Sequence, residues 1–239
     1  MSVFKLKEFD IVQQHSAMKV GTDSVLLGSL LETENPQNIL DIGTGTGLLA
    51  LMLAQRYKDA RIDAVEIDEE AFAEATQNAQ QSKWRDRVNM FHQSLQDFAR
   101  QSTHQYDLIV SNPPYYEVEN HYGIEAQNRS HARHTATLSF DELLENIAKL
   151  LITDGRCWMV LPKKEGELVV EKARAFGLCL VHQIFVFPNP NKPFNRLVFC
   201  LAKTQQETIL ASFYIKDESG HYSQQYKDAT MPFLLWNKQ

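Results

Sequence analysis

The chain has 239 residues, 44% hydrophobic and 23% charged, which fits one large soluble domain. Its formal net charge of −6 argues against a protein held on nucleic acid by bulk electrostatics, although a local basic patch remains compatible with it. No stretch approaches the roughly 20 apolar residues of a membrane span, and the first residues lack the apolar core of a signal peptide. We therefore expect no membrane segment, and the three cysteines without CxxC spacing favour a reducing cytoplasm.

Strand-like and helix-like segments alternate through the middle of the chain. Strands are predicted at 38–40, 61–67, 88–92, 106–110 and 155–162. Helices are predicted at 46–57, 69–80, 140–151 and 165–177, with Ser139 as the N-cap of the third and Gly177 ending the fourth. A closing strand pair is predicted at 180–187 and 196–202, an edge strand at 208–216 and a short terminal element at 221–238. This order predicts an α/β fold, a mostly parallel sheet with helices on both faces.

The sequence D-I-G-T-G-T-G, at 41–47, directly follows the first strand of this series. Its glycines, Gly43, Gly45 and Gly47, allow positive φ and let a ligand approach the backbone closely. The loop also fits a dinucleotide fingerprint, so it does not by itself separate a nicotinamide enzyme from an S-adenosylmethionine enzyme. Asp41 favours the second, because an acid there can hold the cationic amino group of a methionine moiety and would repel a pyrophosphate.

Polar residues follow the next two strands. Glu66 ends the second strand, where a carboxylate suits hydrogen bonds to the hydroxyls of a ribose. Gln93, Ser94 and Asp97 follow the third strand and are candidates for contacts with an adenine. Asp97 fits a solvated helix face equally well.

The fourth strand ends in S-N-P-P-Y-Y-E, at 111–117, which offers carbonyl oxygens and few N–H groups. The Asn112 side-chain oxygen and the Pro113 carbonyl suit the two hydrogens of a planar amine such as the exocyclic nitrogen of adenine. Tyr115 can stack on the base, and Tyr116 can add a wall to the same slot. Preorganised acceptors of this kind favour methylation of a weakly nucleophilic nitrogen, with Asn112, Pro113 and Tyr115 as catalytic residues.

Taken together, these motifs resemble the bacterial tRNA1(Val) (adenine(37)-N6)-methyltransferase family over nearly the whole chain. The matching segments are 18–28, 41–47, 112–115, 132–135, 193–199 and 222–230. The resemblance implies a Rossmann-like class I methyltransferase with a seven-stranded sheet, S-adenosyl-L-methionine as cofactor, and an adenine beside a tRNA anticodon as target. It also implies that Lys19 and Thr22 lie near the methionine end of the cofactor. Thr22 is equally well suited to be the N-cap of the helix that follows it.

We expect a single methyltransferase domain over 1–239, with a cofactor-closing segment at 1–37 and a C-terminal extension from about 204 to 239. We call the segment 111–117 the proline loop. Basic residues that could meet RNA phosphates follow this loop and the later strands. They are Arg129, His131, Arg133, His134, Lys163, Lys164, Lys192 and Arg196. Each of them alone also fits a solvated surface charge. The acidic composition and the absence of heptad repeats favour a monomer.

Other functions remain open from the residues alone. A glutamine N5 protein methyltransferase also needs a slot for a planar nitrogen, but such enzymes are expected to carry a helical substrate-binding domain before the core. A DNA or rRNA adenine N6-methyltransferase fits the loop, although no separate recognition domain is evident. An NAD-dependent oxidoreductase and a non-catalytic RNA-binding protein are the remaining alternatives. The three cysteines have no CxxC spacing, so neither a disulfide framework nor a metal site is expected.

Overall fold

The computed structural model describes residues 2–14, 20–113 and 138–236. The strands in these ranges are β1 Val3–Lys5, β2 Asp10–Val12, β3 Asn38–Ile42, β4 Arg61–Glu66, β5 Val88–His92, β6 Tyr106–Ser111, β7 Leu151–Pro162, β8 Cys179–Phe187, β9 Arg196–Ala202 and β10 Ile209–Tyr214. The α-helices are α1 Thr22–Leu30, α2 Leu48–Arg56, α3 Glu69–Gln81, α4 Leu95–Gln101, α5 Phe140–Leu150, α6 Lys163–Ala173 and α7 Gln224–Thr230.

The main sheet has the strand order β10-β8-β9-β7-β6-β3-β4-β5 among the described residues, and β1 and β2 form a separate antiparallel hairpin. Among the described strands of this sheet, only β9 runs antiparallel to its neighbours, so the predicted mostly parallel sheet is confirmed. The predicted count of seven strands is wrong, because eight strands from the described ranges already pair in this sheet. The strand pair 180–187 and 196–202 is confirmed, and β10 lies at the edge, paired in parallel with β8.

The sheet separates two hydrophobic clusters, one on each face. Successive side chains of a strand point to opposite faces, and β3 shows this at Ile39 and Leu40, which are both fully buried but belong to different clusters. In β9, Val198 and Phe199 divide in the same way. Because both faces are covered, the central strands read as continuous apolar runs rather than as alternating ones.

Capping side chains set several helix boundaries. The Ser139 hydroxyl accepts from the Glu142 N–H, and the Glu142 carboxylate accepts from the Ser139 N–H, so the predicted N-cap is confirmed as a full capping box. Gly177 ends the helical segment with a φ of 72°, as predicted. The prediction of Thr22 as an N-cap is wrong. Gly21 is the extended residue before α1 and Thr22 is already helical, so the Thr22 side chain does not cap the helix.

Two contacts outside the main sheet join the ends of the chain. Leu6 forms an antiparallel bridge with Leu234, and the Lys7 N–H donates to the Phe233 carbonyl at 2.8 Å. The sequence did not predict the β1–β2 hairpin, because each strand has only three residues and too short a pattern to recognise.

The register of the parallel strands places the candidate site. Ile42 of β3 pairs with Ser111 of β6, and the Ser111 hydroxyl donates to the Ile42 carbonyl at 2.9 Å. The next residues of these strands are Gly43 and Asn112, so the glycine loop and the proline loop begin side by side. Both loops lie at the carboxyl edge, where open α/β sheets bind their ligands.

Candidate active site

A cavity of about 520 Å³ lies outside the carboxyl ends of β3 and β6. Its wall is formed by the start of α1, the glycine loop, Asn112, the residues at the start of β9, and part of the C-terminal extension. Thr22 lies in this wall, as does Tyr222 from the extension. A volume of this size is typical of small-molecule and cofactor sites.

The glycine loop leaves its side of the cavity open. Gly43 and Gly45 line the cavity with φ values of 68° and 58°, and a Cβ built on either would meet no atom within 4 Å. These conformations strain any other residue type, and the space in front of the backbone is free for a ligand. Gly47, with a φ of 82°, precedes the first residue of α2. The predicted close approach of a ligand to this backbone therefore fits the structure.

Asp41 lies fully buried behind the loop. Its Oδ2 accepts from the Thr44 hydroxyl at 2.5 Å and from the Ala50 N–H at 3.1 Å, whereas its Oδ1 is buried and has no hydrogen-bond partner in the described residues. The pKa of this carboxyl is raised to about 7, mainly because of burial; the bonds from Thr44 and Ala50 oppose this rise, and the negative charge of Glu66 adds to it. The contact of Asp41 with a cationic amino group stays a prediction.

Glu66 fixes the loop from behind. Its Oε2 accepts from the Gly45 N–H at 2.8 Å, and its Oε1 accepts from the N–H groups of Ile67 and Asp68 at 2.9 and 3.0 Å. A carboxylate offers about four acceptor positions, so these three bonds leave room for one hydroxyl rather than two. Glu66 thus shapes the loop, and its contact with a ribose stays a prediction.

Asn78 of α3 is a residue that the sequence reasoning missed. It is buried, and its Oδ1 accepts from the Val12 N–H at 2.9 Å. Its Nδ2 donates to the carbonyls of Val12 and Thr46, at 3.0 and 2.9 Å. One amide therefore joins the β1–β2 hairpin to the glycine loop. No sequence signal marks it, since it lies within an ordinary amphipathic helix.

Replacing Asn78 with alanine should lower the free energy of unfolding by about 2 to 3 kcal/mol, because three backbone groups lose their partner in a buried place. Urea denaturation measures this effect, and Gln77→Ala, an exposed position of the same helix, is the matched control. A loss in Asn78→Ala no larger than in Gln77→Ala would contradict the proposed linkage.

Asn112 lines the same cavity as the glycine loop. Its Nδ2 donates to the Ser24 hydroxyl at 2.9 Å, and its Oδ1 is buried without a hydrogen-bond partner in the described residues. An unsatisfied buried acceptor is costly, so a donor from a ligand would be favoured at this atom. This is the chemistry that the sequence predicted for Asn112. Pro113, the next predicted acceptor, is buried.

The candidates for an adenine contact lie beyond β5. Ser94 is the N-cap of α4, because its hydroxyl accepts from the Asp97 N–H at 3.0 Å. The same hydroxyl donates to Asp97 Oδ2 at 2.7 Å, and Asp97 also pairs with Arg100. The side chains of Ser94 and Asp97 thus satisfy each other, whereas the Gln93 N–H donates to the Glu66 carbonyl at 3.1 Å. An adenine contact for these residues stays a prediction.

Two of the predicted basic residues have local partners. The Lys163 ammonium lies 4.4 Å from the centre of the Phe194 ring, and the Arg196 guanidinium donates to Asp23 at 2.9 Å. Arg196 also lines the cavity, while Lys163, Lys164 and Lys192 are exposed. Several predicted residues lie outside the described residues, namely Lys19, Tyr115, Tyr116, Arg129, His131, Arg133 and His134.

The fold and the site together define a class I methyltransferase, with a glycine loop after the first strand of the parallel series and Asn-Pro after the fourth. A family model described as the methyltransferase small domain matches residues 11–180. A tRNA1(Val) (adenine(37)-N6)-methyltransferase from Pedobacter heparinus is 40% identical, with 98% of each chain covered. One from Proteus mirabilis is 37% identical over 98% of this chain and 94% of its own. The chain belongs to the tRNA1(Val) (adenine(37)-N6)-methyltransferase family.

Solved structures support the fold. A predicted O-methyltransferase from Agrobacterium tumefaciens has a TM-score of 0.67 at 15% identity, covering 90% of this chain and 98% of its own. A ribosomal protein L11 methylase from Lactobacillus delbrueckii subsp. bulgaricus has a TM-score of 0.52 at 16% identity, covering 76% and 77%. Family membership and fold decide against a nicotinamide-dependent oxidoreductase. In the described ranges, no helix has the length and apolar character needed to span a bilayer.

Proposed function

We propose that this protein transfers a methyl group from S-adenosyl-L-methionine to N6 of an adenine in tRNA, namely adenine 37 beside the anticodon of tRNA1(Val). The observation that carries the proposal is the buried Oδ1 of Asn112, which has no hydrogen-bond partner among the described residues and belongs to a residue that lines the cavity. The names of the relatives from Pedobacter heparinus and Proteus mirabilis support the tRNA substrate and the position of the target base.

The glycine loop and its neighbours suit the cofactor. The open space in front of Gly43 and Gly45 would hold the part of the cofactor that lies against the backbone. Asp41 would bind the amino group of the cofactor, and Glu66 would accept a hydrogen bond from one ribose hydroxyl. Bound S-adenosyl-L-methionine supplies an electrophilic methyl group on a sulfonium. Thr22 would lie near the methionine end, since it lines the same cavity.

The Asn112 side chain and the Pro113 carbonyl would hold the two hydrogens of the target amine. The lone pair of that nitrogen is delocalised into the ring, so a fixed pair of acceptors favours the pyramidal form that attacks carbon. Asn112 and Pro113 would hold the nitrogen toward the methyl group that the cofactor would supply, and the nitrogen would then release a proton to solvent. No strong general base is needed for this order of events.

The proposal also covers the domain organisation, the oligomeric state, the location and the RNA contacts of the protein. Residues 1–37 and about 204–239 would belong to the single domain, which the contact of Leu6 with Leu234 supports. The enzyme would act as a monomer in the cytoplasm, where tRNA is modified. Basic residues around the cavity, including Arg196 while it remains paired with Asp23, would meet tRNA phosphates.

Transfer of labelled methyl groups to total tRNA from a strain lacking this protein tests the proposal. Nucleoside mass analysis should find N6-methyladenine, and fragment mapping should place it at adenine 37 of tRNA1(Val). Label in the glutamine of a protein, in DNA or in rRNA, with none in tRNA, would instead identify one of the alternative methyltransferases.

Affinity for S-adenosyl-L-methionine should rise as the pH increases from 6 to 7.5. With a pKa of about 7, Asp41 is largely protonated at pH 6 in the free protein, whereas its ionised form attracts the amino group. Binding must then release a proton, and the affinity falls by up to about tenfold for each pH unit below 7. Calorimetry in two buffers of different ionisation enthalpy measures this proton, and Asp41→Asn should abolish its release. Equal wild-type affinity at both pH values would contradict the role.

A further inference from the structure

Ser24 lies in the first turn of α1, 88 residues from Asn112 in the sequence, and accepts the hydrogen bond from Asn112 Nδ2 at 2.9 Å. This bond engages the donor end of the amide, and the acceptor end is buried without a partner in the part of the chain that the structure describes. We infer that Ser24 is a positioning residue, which orients the Asn112 amide so that Oδ1 meets the amine of the target base. The inference rests on the proposed function and adds to it a residue on another element.

The two ends of an asparagine amide have nearly the same shape and opposite hydrogen-bonding character. A half turn of the Asn112 amide would present its NH2 group to the target amine, and two donors would then face each other. The Ser24 hydroxyl accepts as well as donates, so it can satisfy the NH2 group while Oδ1 takes a hydrogen of the target. With the amine in place, only this orientation gives every group a partner.

The Ser24 oxygen is held firmly relative to the sheet. The neighbouring residue Asp23 forms an ion pair with Arg196, the first residue of β9, at 2.9 Å, and both side chains are less than a third exposed. The three residues that follow Ser24 are buried in the core, from Val25 to Leu27. At Gly28 the helix packs tightly on α2, since a Cβ there would lie 2.6 Å from the Met52 methyl carbon. A fixed acceptor of this kind lowers the reorganisation needed at the moment of reaction.

The Ser24 hydroxyl would influence the rate more than binding. Loss of the hydroxyl leaves Asn112 in place but lets its amide turn, so fewer bound complexes have the acceptor aligned. We expect Ser24→Ala to lower kcat by about tenfold, with KM for tRNA and Kd for S-adenosyl-L-methionine within about twofold of wild type.

Ser29→Ala is the matched control for this substitution. It removes a hydroxyl from the same helix, and the Ser29 Oγ is buried without a hydrogen-bond partner in the described residues. Ser29→Ala should keep wild-type kcat. Combining Ser24→Ala with Asn112→Ala should reduce kcat no further than Asn112→Ala alone, because the hydroxyl acts only through the amide.

A spectroscopic measurement reads the orientation without turnover. In protein labelled with ¹⁵N at asparagine, the side-chain NH2 signals of Asn112 are identified by their absence in Asn112→Ala. Ser24→Ala should shift these signals and speed their exchange with solvent, whereas Ser29→Ala should leave them unchanged.

The outcomes separate the inference from the function on which it rests. If wild-type protein and Ser29→Ala transfer no methyl group to tRNA, the proposed function fails. If both are active and Ser24→Ala has an unchanged kcat, or if its effect multiplies with that of Asn112→Ala, the positioning role is overturned. Unchanged NH2 signals in Ser24→Ala would overturn it as well.

Discussion

Asn112→Ala should lower methyl transfer to tRNA by about a hundredfold or more, while S-adenosyl-L-methionine binds within about twofold of wild type. The substitution removes the buried Oδ1, an acceptor that has no partner in residues 2–14, 20–113 and 138–236 and belongs to a residue lining the cavity. The hydrogen bonds of Asp41 and Glu66 to the glycine loop do not involve Asn112, so the affinity for the cofactor should be preserved. Calorimetry measures the affinity, and a labelled-methyl assay on tRNA measures the transfer.

The matched control for this prediction is Asn89→Ala. Asn89 is exposed on β5, and its Nδ2 donates to Asp63 at 2.9 Å, near the start of β4 and away from the carboxyl edge. Asn89→Ala should transfer methyl groups at the wild-type rate. Full activity in Asn112→Ala would contradict the role assigned to the amide. A large loss of cofactor affinity would instead indicate that Asn112 binds the cofactor.

Glu66→Ala should weaken S-adenosyl-L-methionine binding by at least about tenfold, through two effects. The ribose would lose an ionised acceptor, and the N–H groups of Gly45, Ile67 and Asp68 would lose theirs, so the loop would lose its support. Equilibrium dialysis with labelled cofactor measures the binding.

A thermal unfolding curve and two further variants control for loss of the fold. Glu66→Gln keeps a carbonyl oxygen of the same reach but loses the charge, so it should bind more tightly than Glu66→Ala and less tightly than wild type. Glu70→Ala removes an exposed carboxylate from the first turn of α3 and should bind normally. Unchanged affinity in both Glu66 variants would exclude Glu66 from the cofactor site.

Local patterns predicted the elements because their causes are local. The apolar runs of the central strands, the capping box at Ser139 and the positive φ at Gly177 depend only on residues within a few positions. At Thr22 the local pattern predicted the wrong helix boundary. A threonine before an apolar run suits an N-cap, but α1 begins one residue earlier, at the boundary set by Gly21.

The sequence by itself determined that a glycine loop and a proline loop follow parallel strands, and hence that an acid and an amide meet at one edge of the sheet. Only the tertiary structure decided how these groups are held. The Ser24–Asn112 bond spans 88 residues, and Asn78 reaches Val12 across 66. The physical reason is that the spacing of residues along a chain fixes which face of an element they share. The partner of a buried polar atom depends instead on how distant elements pack, and no local pattern encodes that packing.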